Sequence, residues 1–200
     1  MRLMLRVRDD DACAFEELMR RYQDRLVRLM VHLVSRRDMA EDLAQEIFLR
    51  VYRSRHRYVP GSKFSTWLYT IAHNVASNAS RGLARRREVN LVNRESGEMT
   101  GNPIEVAALA ASGLMPARQL DKAELCEVVK LAVAALNERQ RMAVLLNKFE
   151  HLSYEEIADV MKMSPSAVKS LLSRARANLR ETLDPYLQQG EKVEDISQSL

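Results

Sequence analysis

The stretch from Ser153 to Arg180, SYEEIADVMKMSPSAVKSLLSRARANLR, decides the reading of this chain. Ser153 followed three residues later by Glu156 is a capping-box pattern, so a helix is predicted to start there. Tyr154, Ile157, Ala158 and Met161 then mark one apolar face at helical spacing. Lys162 and Met163 interrupt the run. Ser164 is a second N-cap, with Pro165 at the first helical position, where its missing N–H costs nothing. Val168, Leu171, Leu172, Ala175 and Leu179 form the buried stripe of the new helix. Ser166, Ser170, Ser173 and Arg174 lie on its other face, flanked by Lys169 and Arg176. Between Lys162 and Arg180 there are five basic residues and no acid. Two helices, a tight turn and a small, polar, cationic outer face describe a helix-turn-helix. Such a face is ordinarily just solvated, but its hydroxyls and Arg also suit phosphate and base-edge contacts.

Outward from that stretch the pattern stays helical. The 200 residues are 46% hydrophobic and 29% charged, with only 6 Gly and 5 Pro, which predicts an all-α protein rather than a disordered one. Phe15, Leu18, Met19, Tyr22, Leu26, Leu29, Met30 and Leu33 predict a long first helix, with Asp9 to Asp11 as its capping cluster. Asp38, with Glu41 three residues on, is expected to start the next. Leu43, Ala44, Ile47, Val51 and Tyr58 are expected on its inner face. After a turn at Tyr58–Lys63, Phe64, Trp67, Leu68, Ile71, Ala72 and Val75 are again apolar at helical spacing, while Asn74, Asn78 and Arg81 share a polar face. Residues 88–118 change character, with three of the six Gly and Pro 103 and 116 among them, and predict a flexible linker in which 106–111 becomes helical on contact. Helical spacing resumes from Leu120, and Asn137 with Gln140 caps the helix before the helix-turn-helix. The expected architecture is two small helical domains, 1–87 and 119–187, joined by the linker and followed by a polar, frayed tail at 188–200.

Charge is distributed unevenly. Residues 1–87 hold 18 Lys and Arg against 10 Asp and Glu, a net +8, whereas residues 88–200 carry a net −4. From Ile47 to Arg87 there are nine basic residues and no acid. A one-signed block in a folded region is the footprint of a polyanion partner. Within it Tyr58, Lys63, Phe64, Trp67 and Tyr69 combine cation and aromatics in the way that grips unpaired bases, although Trp67 by itself is as readily a core residue. Asp42 and Glu46 are neighbours on one helical face and could serve as an acid–base pair or hold an ion, but the four scattered histidines complete no ligand set. The alternatives are a solvated face or, with Phe48 alongside, a protein docking surface. Cys13 and Cys126 have no metal-ligand spacing and are expected to be buried thiols in a reducing cytoplasm. No apolar run predicts a membrane span, and the N-terminus has no signal-peptide core. No metal, cofactor or catalytic residue is expected.

Three blocks, DLAQEIFLRVYR at 42–53, FSTWLYTIAHNVASNASR at 64–81 and LNERQRMAVLLNKFEHLSYEEIADVMKMSPSAVKSLLSRAR at 136–176, together resemble the extracytoplasmic-function (ECF) group of bacterial RNA polymerase sigma factors over nearly the whole chain. The resemblance implies a promoter-specificity subunit with no catalysis of its own. Asp42, Gln45, Glu46 and Phe48 would bind core RNA polymerase. Tyr58, Lys63, Phe64, Trp67, Asn74, Asn78 and Arg81 would melt the −10 element and hold the non-template strand. Ser164, Ser166, Lys169, Ser170, Ser173, Arg174 and Arg176 would read the −35 duplex. It further implies control by a separate anti-sigma factor. Many relatives have Asp at Asn78 and Arg at Leu171, and Leu171, on the rim of the apolar stripe, cannot contact phosphate. The competing readings are an autonomous helix-turn-helix regulator and, more remotely, a nuclease built on Asp42 and Glu46.

Overall fold

The computed structural model describes residues 2–34, 36–61, 63–92 and 122–197, and among them it contains helices and turns but no β-strand. Most of the expected linker, from residue 93 onward, and its contact-induced helix at 106–111 lie outside the described residues, as does the tail beyond 197.

The stripe along α2 (Ala12–Val34) folds inward as its spacing requires, with Leu18, Leu26, Leu29, Met30 and Leu33 buried. Asp11 caps this helix, its carboxylate accepting from the Ala14 amide at 3.0 Å. A short helix that the sequence did not suggest, α1 (Arg2–Arg8), precedes it and buries Met4 and Val7 against α2. Full burial of side chains that size contributes about 1.5–3 kcal/mol each, which offsets part of the entropy lost in ordering the segment. α3 (Arg37–Arg53) packs on α2 through Ala40, Ala44, Ile47, Phe48 and Val51. Asp38 does not start it as expected. It lies within the first turn, 2.5 Å from Arg36, where the positive helix end still favours a carboxylate. A single 3-10 turn (Arg55–Arg57) then turns the chain before α4 (Phe64–Val92). Tyr58 therefore belongs to this connection, although it is buried, its ring packed on Phe64 and Trp67 of α4.

The second half contains α5 (Lys122–Ala135), α6 (Glu138–Lys148), α7 (Tyr154–Met161) and α8 (Pro165–Ser197). Asn137 caps α6, accepting from the Gln140 amide at 2.9 Å. Both bonds of the capping box are made: Ser153 Oγ accepts from the Glu156 amide at 3.2 Å, and the Glu156 carboxylate accepts from the Ser153 amide at 2.8 Å. α7 ends at Lys162 in the left-handed conformation (φ 54°), and the Ser164 hydroxyl accepts from the Ala167 amide to open α8. Val168, Leu171, Leu172 and Ala175 are buried. The backbone of α8 stays helical through Pro185 to Ser197, where composition suggested a frayed tail.

The halves meet directly. α7 lies along α4, and α5 and α6 touch α2. Cys13 on α2 and Cys126 on α5 are both exposed, contrary to the expected buried thiols: each falls on the solvent side of its helix.

Candidate polymerase and nucleic-acid interfaces

Three outward faces carry the residues that the sequence singled out. On α8, Ser164, Ser166, Lys169, Ser170, Ser173, Arg174 and Arg176 are all exposed, on the side opposite the buried stripe. Ser164 and Ser166 share a hydroxyl contact of 3.0 Å at the helix start, Arg176 donates to the Tyr154 hydroxyl at 2.9 Å, and Arg174 donates weakly to the Ser170 carbonyl. Among the described residues neither Lys169 nor Arg174 is in an ion pair, so both cations remain available to an external anion. Leu171 is 7% exposed and points away from this face.

On α4, Asn74, Asn78 and Arg81 follow one another at intervals of about a turn and are exposed. Arg81 donates to the Asn78 side-chain oxygen at 2.7 Å and to the Ser77 carbonyl at 3.1 Å, which orients both side chains. Lys63 is exposed at the helix start. The aromatics behave differently. Tyr58 and Phe64 are 2% and 6% exposed and sit with Tyr22 and the half-buried Trp67 in one cluster, ring centroids 5.3–6.2 Å apart. Edge-on packing of this kind stiffens the turn beneath Lys63 rather than offering faces to a base.

On α3, Asp42 and Gln45 are exposed, Glu46 is half-buried and paired with Arg50 at 2.7 Å, and Phe48 turns inward, edge-on to Phe15. Gln45 and Phe48 line a groove of about 1240 Å³ whose walls come from α2, α3 and α5. No three His, Cys, Asp or Glu side chains gather as metal ligands among the described residues.

A polar seam between the halves escaped the sequence. The Glu150 carboxylate accepts from the Tyr69 hydroxyl and is 2.6 Å from Arg25. Burial, then the neighbouring Glu150, push the Tyr69 phenol well above its ordinary pKa. Arg141 donates to the carbonyls of His32 and Leu33 at the end of α2 and of Ala134 and Leu136 at the end of α5, a cation shared by two helix C-termini. Lys63 lies 2.9 Å from Glu156. The partners across the seam are 81 to 125 residues apart in the chain, so no local pattern could have paired them.

Comparison with known proteins gives these faces a class. The model of Sigma-70 region 2 matches residues 18–86, and that of Sigma-70 region 4 matches residues 126–179. The two together define a sigma-70 transcription initiation factor. The chain is 34% identical over 187 residues to the RNA polymerase sigma-H factor of Pseudomonas aeruginosa, covering 94% of this chain and 95% of that one. It is 32% identical to the ECF RNA polymerase sigma-E factor of Escherichia coli K12 over 188 residues, 92% of this chain and 94% of the relative. Among solved structures, the sigma factor RpoE of Bartonella quintana, in complex with the anti-sigma factor NepR, superposes with a TM-score of 0.62 at 27% identity, covering 85% of this chain and 96% of that one. CnrH, in complex with the cytosolic domain of CnrY, shares the fold with a TM-score of 0.62 at 20% identity, over 92% and 96% of the two chains. The chain belongs to the extracytoplasmic-function group of RNA polymerase sigma factors. Among the described residues, no helix is long and apolar enough to cross a membrane.

Proposed function

We propose that this sigma factor joins core RNA polymerase through Asp42, Gln45, Glu46 and Phe48 and reads a promoter through two separate faces, in the cytoplasm and without catalysis of its own. The units are the halves 1–87 and 119–187, connected through 88–118. α8 enters the major groove of the −35 duplex, with Lys169 and Arg176 toward phosphate and the serines and Arg174 toward base edges. Lys63, Asn74, Asn78 and Arg81 hold the melted non-template strand of the −10 element, and Tyr58, Phe64 and Trp67 support the turn from below. The supporting observation is the α8 face itself: seven exposed hydroxyl and cationic side chains on one helix, with Lys169 and Arg174 in no ion pair among the described residues.

The test is co-elution with core polymerase followed by permanganate reactivity of thymines on a promoter selected from random duplexes. Lys63→Ala with Asn78→Ala should retain −35 binding and lose strand opening. Normal opening by that folded variant would remove the turn and α4 from the melting role.

A second surface has its own support. The groove between α2, α3 and α5 is apolar along Phe15, Met19, Val27, Val31 and Leu131, and the Bartonella relative is solved with an anti-sigma factor. A helix of such an inhibitor seated there would cover Gln45 and Phe48 and exclude polymerase. Leu131→Glu should then release the inhibitor while core polymerase still co-elutes. An inhibitor that bound the variant unchanged would lie elsewhere.

A further inference from the structure

A small cleft opens where the start of α4 meets α1 and α2. Its volume is about 250 Å³, and its floor is made by Met4 of α1, Leu18 of α2 and Phe64 of α4, all three buried. Leu3 and the half-buried Tyr22 form its sides, and Arg2 and Arg21 stand exposed on its rim. The cleft exists because α1 docks on α2 through Met4 and Val7, which brings its first turn and the start of α4 to the same stretch of α2.

The rim is cationic and its donors are unspent. Among the described residues Arg2 is in no ion pair, and Arg21 gives only its Nε to Glu17, at 2.6 Å, leaving both terminal nitrogens without a partner. A guanidinium is a flat fork that donates to two neighbouring acceptors on a base edge or lies against a base face. The cleft is smaller than the about 300–1,000 Å³ of sites that enclose a drug-sized ligand, so it has room for one small planar group. A phosphate would need no apolar floor, and an apolar side chain would need no pair of guanidiniums. An unpaired base uses both.

The cleft also lies at the end of a row already described. Arg81, Asn78 and Asn74 follow one another along α4 toward Lys63, and Phe64 comes directly after Lys63. At 1.5 Å per residue the row from Arg81 to Lys63 is about 27 Å long, and a single strand laid along it reaches the cleft at the Lys63 end. We propose that the cleft is a base pocket for the melted strand: one unpaired base leaves the stack, rests on Met4, Leu18 and the edge of Phe64, and turns its acceptor edge to Arg2 and Arg21. Because both rim groups are donors only, guanine, whose O6 and N7 accept side by side, is the preferred base. The pocket rests on the assignment of α4 to the melted strand.

The experiment removes one base at a time. Core polymerase carrying the full chain is placed on a promoter selected from random duplexes, with an abasic site at each position of the non-template strand in turn, and the lifetime of the open complex is measured under heparin challenge. A lost base contact should shorten the lifetime by about tenfold at each position where a base is held. At one of those positions Arg2→Gln with Arg21→Gln should remove the penalty and leave the others intact, with circular dichroism unchanged. At that same position guanine should give the parent its longest lifetime. Arg2→Lys with Arg21→Lys keeps the charge and loses the fork, so the guanine preference should go while the salt dependence of the lifetime stays. If the Gln variant keeps every abasic penalty of the parent, the cleft takes no base and the pocket is overturned. That holds also if its lifetimes fall by the same factor on all templates, because the arginines then contact phosphate alone. Failure of the α4 assignment reads differently: Lys63→Ala with Asn78→Ala would keep the parent's lifetime on every template, whatever the arginine variants do.

Discussion

Arg174 and Lys169 project from the same helix but are suited to different work. A cation that contacts phosphate releases about one counterion, so Lys169→Ala should lower the salt dependence of −35 binding by about one unit whatever the sequence. Arg174 is placed to reach a base edge. Arg174→Ala should cost about 1–3 kcal/mol and only at sites bearing the base it reads, which a selection of binding sites with each variant would reveal. Unaltered affinity and preference in both would take α8 out of the recognition role. Glu46 calls for a different test. Its bond to Arg50 is an i,i+4 surface pair worth about 0.3–0.5 kcal/mol, so Glu46→Lys should barely change stability. It should nonetheless weaken polymerase binding, because it puts like charge against a basic partner surface. Equal co-elution of variant and parent would discount α3 as the docking face.

α7 is the most exposed to a single substitution at the level of elements. Eight residues are too few to sustain a helix without help, and its help is the capping box at one end and packing on α4 and α8. Ser153→Ala removes the acceptor for the Glu156 amide and should destabilise the fold by about 1 kcal/mol in urea denaturation, with Ser153→Gly costing only a few tenths. Equal stability of the Ala variant and the parent would mean that α7 is held by packing alone. α1 shows the converse. It has little beyond seven residues and two apolar side chains, and it is a helix because α2 and the 3-10 turn give it something to pack on.

Two histidines couple the whole molecule to pH. His32 lies beside Lys130 of α5, Arg141 of α6 and Phe149, and burial, then those two cations, lower its pKa from 6.5. His73 on α4 is lowered by burial, with Arg139 and Lys162 adding to the shift and Glu138 opposing it. The unfolded chain therefore binds protons at a pH where the closed fold does not. Stability is fully present above about 6.5 and declines as pH falls from there toward the lowered values. Asp11, Glu17, Asp38, Glu155 and Glu156 are depressed as well, but they cost stability only below the ordinary carboxylate range. The urea midpoint should drop between about pH 7.5 and 5.5, and replacing both histidines with Gln should flatten the drop. A flat profile in the parent chain would show that neither ring is kept neutral by the closed fold.

The helix-turn-helix, its two N-caps and the outward cationic face were legible because each depends on groups within a turn or two of one another. Ser153 meets Glu156 and Ser164 meets the Ala167 amide wherever the chain goes next. The acid-free block from Ile47 to Arg87 was legible because charge needs no partner to be counted. Burial is another matter. Tyr58 and Phe64 have the residue type of base-stacking side chains, yet Tyr22, far away in the chain, is what closes over Phe64. Cys13 and Cys126 could be placed on helices by periodicity, but which side met solvent depended on neighbouring helices. The cluster of Arg25, Tyr69 and Glu150 draws one residue from each of three distant segments, and only the packing of α7 on α4 and of α6 on α2 brings them within hydrogen-bond reach. Local hydrogen bonding and side-chain spacing determined the helices; the long-range burial of polar groups, which no local interaction specifies, decided how the halves meet and what Lys63 faces.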